Sequence, residues 1–296
     1  MAMAIAKGKE VGADLILASD PDADRVGCVL RDENGEYVLI NGNQIVMILL
    51  YYIMTRNREL GKITGNEYVV KTIVTTETIK AIAEKNGFKM YDCYTGFKWI
   101  AAVIRENEGT GRYLGGGEES YGFLAEDFCR DKDSVSAISL LAEALAWAKT
   151  KGKNFLQMLQ DIYIEYGFSR EAGISLVRKG KSGAEEIIAI MKGFRANPPK
   201  SLAGSNVVLV KDYADLNVTD LTTGKIEKMD MPTTSNVLQF FTADGTKVSV
   251  RPSGTEPKIK FYVEVKGEMK SAADYSKAID AADAKINAIK NDLGID

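Results

Sequence analysis

No histidine occurs anywhere in the 296 residues. That absence excludes Ser-His-Asp and Cys-His catalysis, phosphohistidine chemistry, and His-ligated zinc or haem. A metal held by this chain must rely mostly on oxygen ligands, which points to Mg²⁺, Mn²⁺ or Ca²⁺. Cysteine is nearly as scarce. Cys28, Cys93 and Cys129 are widely spaced, form no CxxC, and read as reduced thiols of a cytoplasmic protein, small core residues rather than nucleophiles. Long apolar runs are missing too: the longest, Ile45 to Met54, has ten residues, about half of what a bilayer span needs. Met1 to Glu10 lacks the basic start and leucine-rich centre of a signal peptide. Neither sign of charge dominates, with 38 basic against 41 acidic residues and a net charge of −3. That balance argues against nucleic acid or an anionic membrane as the main partner.

What is present reads as globular. Hydrophobic residues make up 45% and charged residues 27%, and the length suits roughly two domains, with room for a third. An Ala-rich helix ends near Gly12, and Leu15 to Ala18 forms a short unbroken apolar strand of the kind buried on both faces of a parallel sheet. A turn falls at Asn34-Gly35. Helices are predicted at Gln44–Thr55, Thr76–Asn86, Lys98–Arg105 and Ser134–Lys149, and strands at Val69–Val74, Phe88–Tyr91 and Tyr113–Leu114. This βαβα alternation signals a doubly wound α/β domain. Past Gly167 strands dominate: Gly173–Val177, Val207–Val210, Val237–Phe241, Lys247–Val250 and Lys258–Val265, with one helix at Ala184–Phe194 and a closing helix striped by Tyr275, Ile279, Ala282, Ile286, Ile289 and Leu293. The expected architecture is therefore a partial first α/β domain and a doubly wound mixed α/β domain. An α+β C-terminal domain follows, with helices on one face of an antiparallel sheet.

Three loops carry chemistry. Ser19-Asp20-Pro21-Asp22-Ala23-Asp24-Arg25 follows the first strand. Two like charges 4 Å apart repel by roughly 4 kcal/mol at an effective dielectric of 20, so Asp20, Asp22 and Asp24 call for a hard cation, with Arg25 offsetting one charge. A solvated acidic turn is the plain alternative. An EF-hand fails, because its glycine and glutamate positions hold Arg25 and Arg31. An aspartyl-phosphate enzyme of the haloacid dehalogenase type, with Asp20 as nucleophile, is weakened by Asp24 but stays open. Gly115 to Phe123 reads G-G-G-E-E-S-Y-G-F, and Glu118 and Ser120 offer acceptors suited to sugar hydroxyls; a glycine-rich turn is the alternative. Nearby, Thr95-Gly96-Phe97-Lys98-Trp99 places Lys98 at a helix start, as a phosphate ligand or a plain surface lysine. Arg251-Pro252-Ser253-Gly254-Thr255-Glu256-Pro257 joins two strands. There Arg251 supplies a bidentate fork, Ser253 and Thr255 hydroxyl donors, and Gly254 the room for backbone N–H groups to turn onto a phosphate.

In this order, D-P-D-A-D-R, T-G-F-K-W, G-E-E-S-Y-G and R-P-S-G-T-E-P closely resemble the α-D-phosphohexomutase family, most of all its phosphoglucomutases and phosphomannomutases. The resemblance implies that Asp20, Asp22 and Asp24 are its Mg²⁺ ligands with Arg25 beside them. Glu118 and Ser120 become its sugar loop, Arg251, Ser253, Gly254 and Thr255 its distal phosphate loop, and Lys98 a phosphosugar contact. It implies a hexose phosphate substrate and a glucose 1,6-bisphosphate intermediate, with E-E-S leaning towards glucose over mannose. Domains would run 1–40 (the tail of the second family domain), 41–168 (the third) and 169–296 (the fourth). The family's phosphoserine loop is absent, so the chain reads as a C-terminal portion lacking the N-terminal domains, inactive as a mutase by itself. A non-catalytic sugar-phosphate and Mg²⁺ module is the alternative. Lys98 and Arg25 are the acid/base candidates, and Lys132 in Arg130-Asp131-Lys132-Asp133 reads as solvated charge, with a place lining the cleft as the alternative.

Overall fold

The computed structural model describes residues 1–178, 180–254 and 256–295. It divides into two compact units, the first essentially Met1–Gly167 and the second Phe168–Met269 with the C-terminal helix.

In the first unit, α1 (Ala2–Val11) is followed by strands β1 (Leu15–Ser19), β2 (Val26–Arg31) and β3 (Tyr37–Ile40), which form an antiparallel meander. This corrects the parallel pairing expected of Leu15–Ala18. Ser19 pairs with Val26 and Leu15 with Leu30, and six residues can close a hairpin but not a parallel crossover, which needs a dozen or more. Of the apolar run only Ile16 is buried. Among the described residues β1 ladders with β2 alone and stays an edge strand.

Helix α2 (Gly42–Glu59) explains the longest apolar run. Asn41 and Gln44 make a reciprocal capping box at its start, and Gly42 to Leu50 are all buried. A helix apolar all round is an interior helix, and α2 packs on neighbours on several sides. Then come β4 (Glu67–Thr72), α3 (Thr78–Lys85), β5 (Lys89–Cys93), α4 (Phe97–Glu106), β6 (Arg112–Gly117), β7 (Phe123–Ala125), α5 (Ser134–Thr150) and α6 (Phe155–Tyr166). Their sheet runs β5-β4-β6-β7, with β4 parallel to both β5 and β6 and β7 antiparallel at the edge. Phe97, Ile100 and Ile104 of α4 pack onto Tyr68, Val70, Cys93 and Tyr113 of the sheet. The sequence pattern did not show β7 or α6.

The Gly115-Gly116-Gly117 run is a packing requirement. A Cβ on Gly116 would stand 2.4 Å from the Val70 carbonyl oxygen, and one on Gly117 would stand 2.6 Å from Val46 Cγ2 of α2. Only glycine lets β6 lie this close to both neighbours.

The second unit contains β8 (Phe168–Val177), α7 (Gly180–Ala196), β9 (Ser201–Leu202), β10 (Ser205–Asp212), β11 (Asn217–Asp220), β12 (Ile226–Lys228), β13 (Leu238–Thr242), β14 (Lys247–Pro252), β15 (Lys258–Gly267) and α8 (Tyr275–Leu293). The antiparallel sheet has the order β12-β11-β10-β13-β14-β15-β8, with β9 on β10. Ile259, Phe261, Val263 and Val265 of β15 are buried. Phe194 of α7 packs edge-on to Phe261, and α8 buries Ala278, Ala282, Ile286 and Ile289. No helix among the described residues is long and apolar enough to cross a membrane.

Candidate functional site

Strand β4 has a parallel neighbour on each side, reached through α3 in one direction and by the α4 connection in the other. The carboxyl ends of such strands flank a crevice where open α/β sheets take ligands. Three loops meet at that end of the first unit. The Glu118 loop leaves β6, Thr72 to Thr76 leave β4, and Tyr94 to Gly96 leave β5.

Glu118 is buried, 5% exposed, and its Oε1 accepts the Gly96 N–H at 2.7 Å. The T-G-F turn therefore fixes one oxygen of Glu118 and leaves Oε2 outside that bond. The loop closes on itself, the Glu118 N–H donating to the Gly122 carbonyl at 2.9 Å and the Tyr121 N–H to the Glu118 carbonyl at 3.2 Å. Tyr121 holds φ +74°, a left-handed conformation that bulky residues adopt only where surrounding structure enforces it. Glu119 points the other way from its neighbours: its Oε2 accepts the hydroxyls of Thr75 at 3.3 Å and Thr72 at 3.4 Å.

The aspartate loop docks beside it. Arg25 Nη1 donates to the Ser120 carbonyl at 3.3 Å, and the Val26 N–H donates to the Tyr121 carbonyl at 3.1 Å. Asp20 Oδ1 accepts the backbone N–H groups of Asp24 and Arg25, both at 3.1 Å. Burial acts to raise its pKa, but those bonds and the Arg25 charge outweigh it and hold the carboxyl below its ordinary value. Ala23 takes φ +56°, and its carbonyl accepts the Ser134 N–H at 3.1 Å, tying the loop to the first turn of α5. Asp22 is exposed.

Lys132 lies beside the aspartate loop, as the cleft-lining alternative has it and not as solvated charge. Its side chain is 13% exposed and its Nζ lies 3.0 Å from Asp24 Oδ2. Its stem runs over Gly122, where a Cβ would meet Lys132 Cδ at 2.3 Å. Burial pushes its pKa down, but the bonds to Asp24 and Asp131 prevail and raise it. The signal available in the sequence was Asp133, which caps α5 through the Val135 and Ser136 N–H groups and so turns the residue before it back toward the loops.

The donor chemistry of the aspartate loop fits a hard cation. Among the described residues Asp24 Oδ1 is buried and accepts no hydrogen bond, Arg25 Nε standing 3.5 Å away, and the two bonds to Asp20 fall on a single oxygen. The donors are not gathered into a cage: among the described residues no three acidic or thiol side chains converge as a metal-binding group, and Lys132 holds the other Asp24 oxygen.

A second feature escaped the sequence reading. Lys71 of β4 is fully buried, with Nζ 2.6 Å from Asp92 Oδ1 and 3.1 Å from Glu77 Oε1. Burial acts to lower its pKa, and the two carboxylates more than reverse this and raise it. The triad ties β4, β5 and the start of α3 together beneath the crevice. Lys98 lies exposed on the first turn of α4, its Nζ 5.4 Å over the Trp99 ring, with no bond to the Glu118 loop. Cys28 and Cys93 are buried free thiols whose pKa values burial pushes up, that of Cys28 to about 12, which suits core residues and not nucleophiles.

In the second unit, Arg251 and Pro252 close β14 opposite Lys260 and Ile259, and the Ser253 N–H donates to the Lys258 carbonyl at 2.8 Å. Among the described residues Arg251 makes no ion pair, so its guanidinium is available to an anion. A Cβ on Gly254 would meet nothing within 4 Å, and its φ is not left-handed; the fold itself does not require glycine there. Thr255 lies outside the described residues.

Comparison with known proteins fits this arrangement. Residues 41–166 match the family "Phosphoglucomutase/phosphomannomutase, alpha/beta/alpha domain III", and residues 199–282 match its "C-terminal domain". A phosphoglucomutase of Staphylococcus haemolyticus (strain JCSC1435) is 35% identical over 263 residues, covering 89% of this chain and 47% of that protein. One from Staphylococcus aureus (strain MRSA252) is 37% identical over 254 residues, covering 86% and 45%. The chain thus spans about half the length of the curated relatives it matches. Among solved structures, parafusin from Paramecium aligns with a TM-score of 0.59 at 18% identity over 98% of this chain and 48% of its own. A phosphoglucomutase/phosphomannomutase family protein from Burkholderia thailandensis gives 0.56 at 19% over 97% and 49%. At those identities the two structures speak for the fold alone. Matched along two successive domains of one family, and by curated relatives across nearly nine-tenths of its length, the chain belongs to the phosphoglucomutase/phosphomannomutase family.

Proposed function

We propose that this chain is the metal-, sugar- and phosphate-binding portion of a phosphoglucomutase and recognises glucose 1-phosphate and glucose 6-phosphate. The observation that carries the reading is buried Glu118, one oxygen fixed by the Gly96 N–H in a loop joined to Arg25 through Ser120. A preorganised acceptor costs little further ordering when a sugar hydroxyl arrives. The preference for glucose over mannose rests on the E-E-S form of the loop and on relatives named phosphoglucomutase.

In this reading Glu118 Oε2 and Ser120 take sugar hydroxyls. Arg251 and Ser253 grip a phosphate, with Gly254 leaving room for backbone N–H donors; charge-assisted bonds of this type contribute roughly 1.5–3 kcal/mol each. Lys132 and Arg25 place positive charge beside the aspartate loop. Arg25 supplies a guanidinium that orients and neutralises charge. Asp20, Asp22 and Asp24 would hold Mg²⁺, which when bound offsets charge on a transferring phosphoryl group. The phosphoserine loop that donates the phosphoryl group in this family is not in the sequence, so we expect the chain alone to bind without turnover.

Calorimetry with glucose 6-phosphate tests the reading. Binding by the chain, weakened at least tenfold both by Glu118→Ala and by Arg251→Ala, would support it. Absence of binding at millimolar ligand with Mg²⁺ would sink it, and coupled-assay turnover of glucose 1-phosphate, free of host mutase, would refute the expected inactivity. A beryllofluoride adduct on Asp20 would favour the Asp20 phosphotransferase instead.

A further inference from the structure

We propose that Glu119, the middle acid of the E-E-S run, positions Glu118 and Ser120 by anchoring their loop to the threonine pair at the end of β4. The role assigned to the loop rests on the preceding reading; the anchoring does not. Glu118 to Tyr121 form a turn closed by the Tyr121 N–H on the Glu118 carbonyl, and within it the Glu119 carboxylate is directed to the end of β4. There it meets the hydroxyls of Thr72 and Thr75, which stand 2.9 Å from each other, so that their two protons serve two of the three contacts at any moment and Glu119 Oε2 always accepts at least one. Both threonines are fully buried, and Lys71, immediately before Thr72, is locked by Asp92 and Glu77. The anchor therefore stands on a rigid strand end.

Two further contacts make the anchoring stringent. A Cβ on Gly42 would stand 2.0 Å from the Glu119 carbonyl oxygen and 2.8 Å from the Tyr121 nitrogen, so the first turn of α2 presses directly on the loop backbone. Asn43 of that turn accepts the Thr76 N–H at 2.9 Å, which fixes the threonine segment relative to the same helix. The loop is thus held on one side by its carboxylate and on the other by contact with α2. Without the carboxylate tether the loop keeps the Gly96 bond, its two internal bonds and the docking of Arg25 and Val26 on Ser120 and Tyr121, and loses its attachment to the end of β4. Glu119 touches no substrate in this scheme; it acts through its neighbours.

The test uses the whole chain and two readouts. Amide hydrogen exchange by NMR on the unliganded protein follows Gly96, Glu118 and Tyr121, whose N–H groups bond within or onto the loop. Phe88 and Lys151, bonded to Ala83 and Ala148, serve as remote controls. Glu119→Ala is expected to speed exchange at the loop amides about tenfold with the controls unchanged. Glu119→Gln, which keeps an acceptor oxygen, should stay within about threefold of the parent. Calorimetry with glucose 6-phosphate should show about tenfold weaker binding for Glu119→Ala, equivalent to about 1.4 kcal/mol, and near-parental binding for Glu119→Gln. Should Glu119→Ala fail to fold, Thr75→Val removes one anchoring hydroxyl at near-constant volume and is expected to move the same amides. If the parent chain binds no sugar phosphate while the loop amides respond, the functional reading fails and the anchoring stands. Loop exchange unchanged in Glu119→Ala or Thr75→Val, or accelerated equally at Phe88 and Lys151, overturns the proposal.

Discussion

Replacing Lys71 by methionine removes one charge from the most buried ionic cluster of the first unit while nearly conserving side-chain length. The ammonium is 0% exposed and bridges Asp92 and Glu77, whose side chains are 37% and 27% exposed. Breaking a fully buried pair typically costs about 3–5 kcal/mol, because the remaining charge is left in low dielectric. Here both carboxylates reach water once released, so the lower end, about 3 kcal/mol, is expected. For a unit of this size that is a fall in melting temperature of roughly 6–12 °C. Both tryptophans, Trp99 and Trp147, lie in the first unit, so intrinsic fluorescence follows its unfolding separately from the second. Because the folded pKa of Lys71 is raised above its ordinary 10.5, its ionic contribution is fully present below 10.5 and is lost as pH rises through the folded value. The gap between Lys71→Met and the parent should accordingly hold from pH 7 to 9 and close only at strongly alkaline pH. A fluorescence melting point within 2 °C of the parent at pH 7 would show that the triad contributes nothing net, and the reasoning would be wrong.

Other perturbations follow from the same geometry. Gly42→Ala forces a Cβ into the Glu119 carbonyl, so a loss of about 1–3 kcal/mol in urea unfolding is expected; an unchanged midpoint would mean that α2 does not press on the loop. In the second unit, burial works against the Asp244 carboxylate, but bonds from Lys285, Thr242 and Thr246 outweigh it and hold its pKa below the ordinary 3.8. Its contribution is complete above 3.8 and is lost as pH falls through the folded value. Calorimetric melts should show Asp244→Asn less stable than the parent at pH 7 and converging with it in strong acid. Asp24→Asn should abolish any Mg²⁺-induced rise in melting temperature of the first unit, whereas Asp32→Asn, in the β2–β3 turn, should leave it intact.

The linear chain by itself determined most of the helices and central strands and singled out the loops that carry candidate chemistry. The absence of histidine limits any metal to mostly oxygen ligands, the alternating aspartates single out the loop as a candidate cation site, and the βαβα order gave the class of the larger part of the first unit, because these depend on residue type and short-range periodicity. It also placed Gly12 and Gly87 at helix ends, where both take left-handed φ as C-terminal glycines do. The direction in which β1 pairs is not legible in its apolar run, which looks alike in either orientation; the short aspartate loop, too brief for a parallel crossover, dictates the antiparallel pairing. Only the tertiary structure decided that Gly115–Gly117 serve close packing, that Lys132 turns inward to Asp24, and that Glu119 meets Thr72 and Thr75 some forty-five residues away. Such contacts arise where chain segments distant in sequence share space, and no local pattern encodes which side chain will stand opposite.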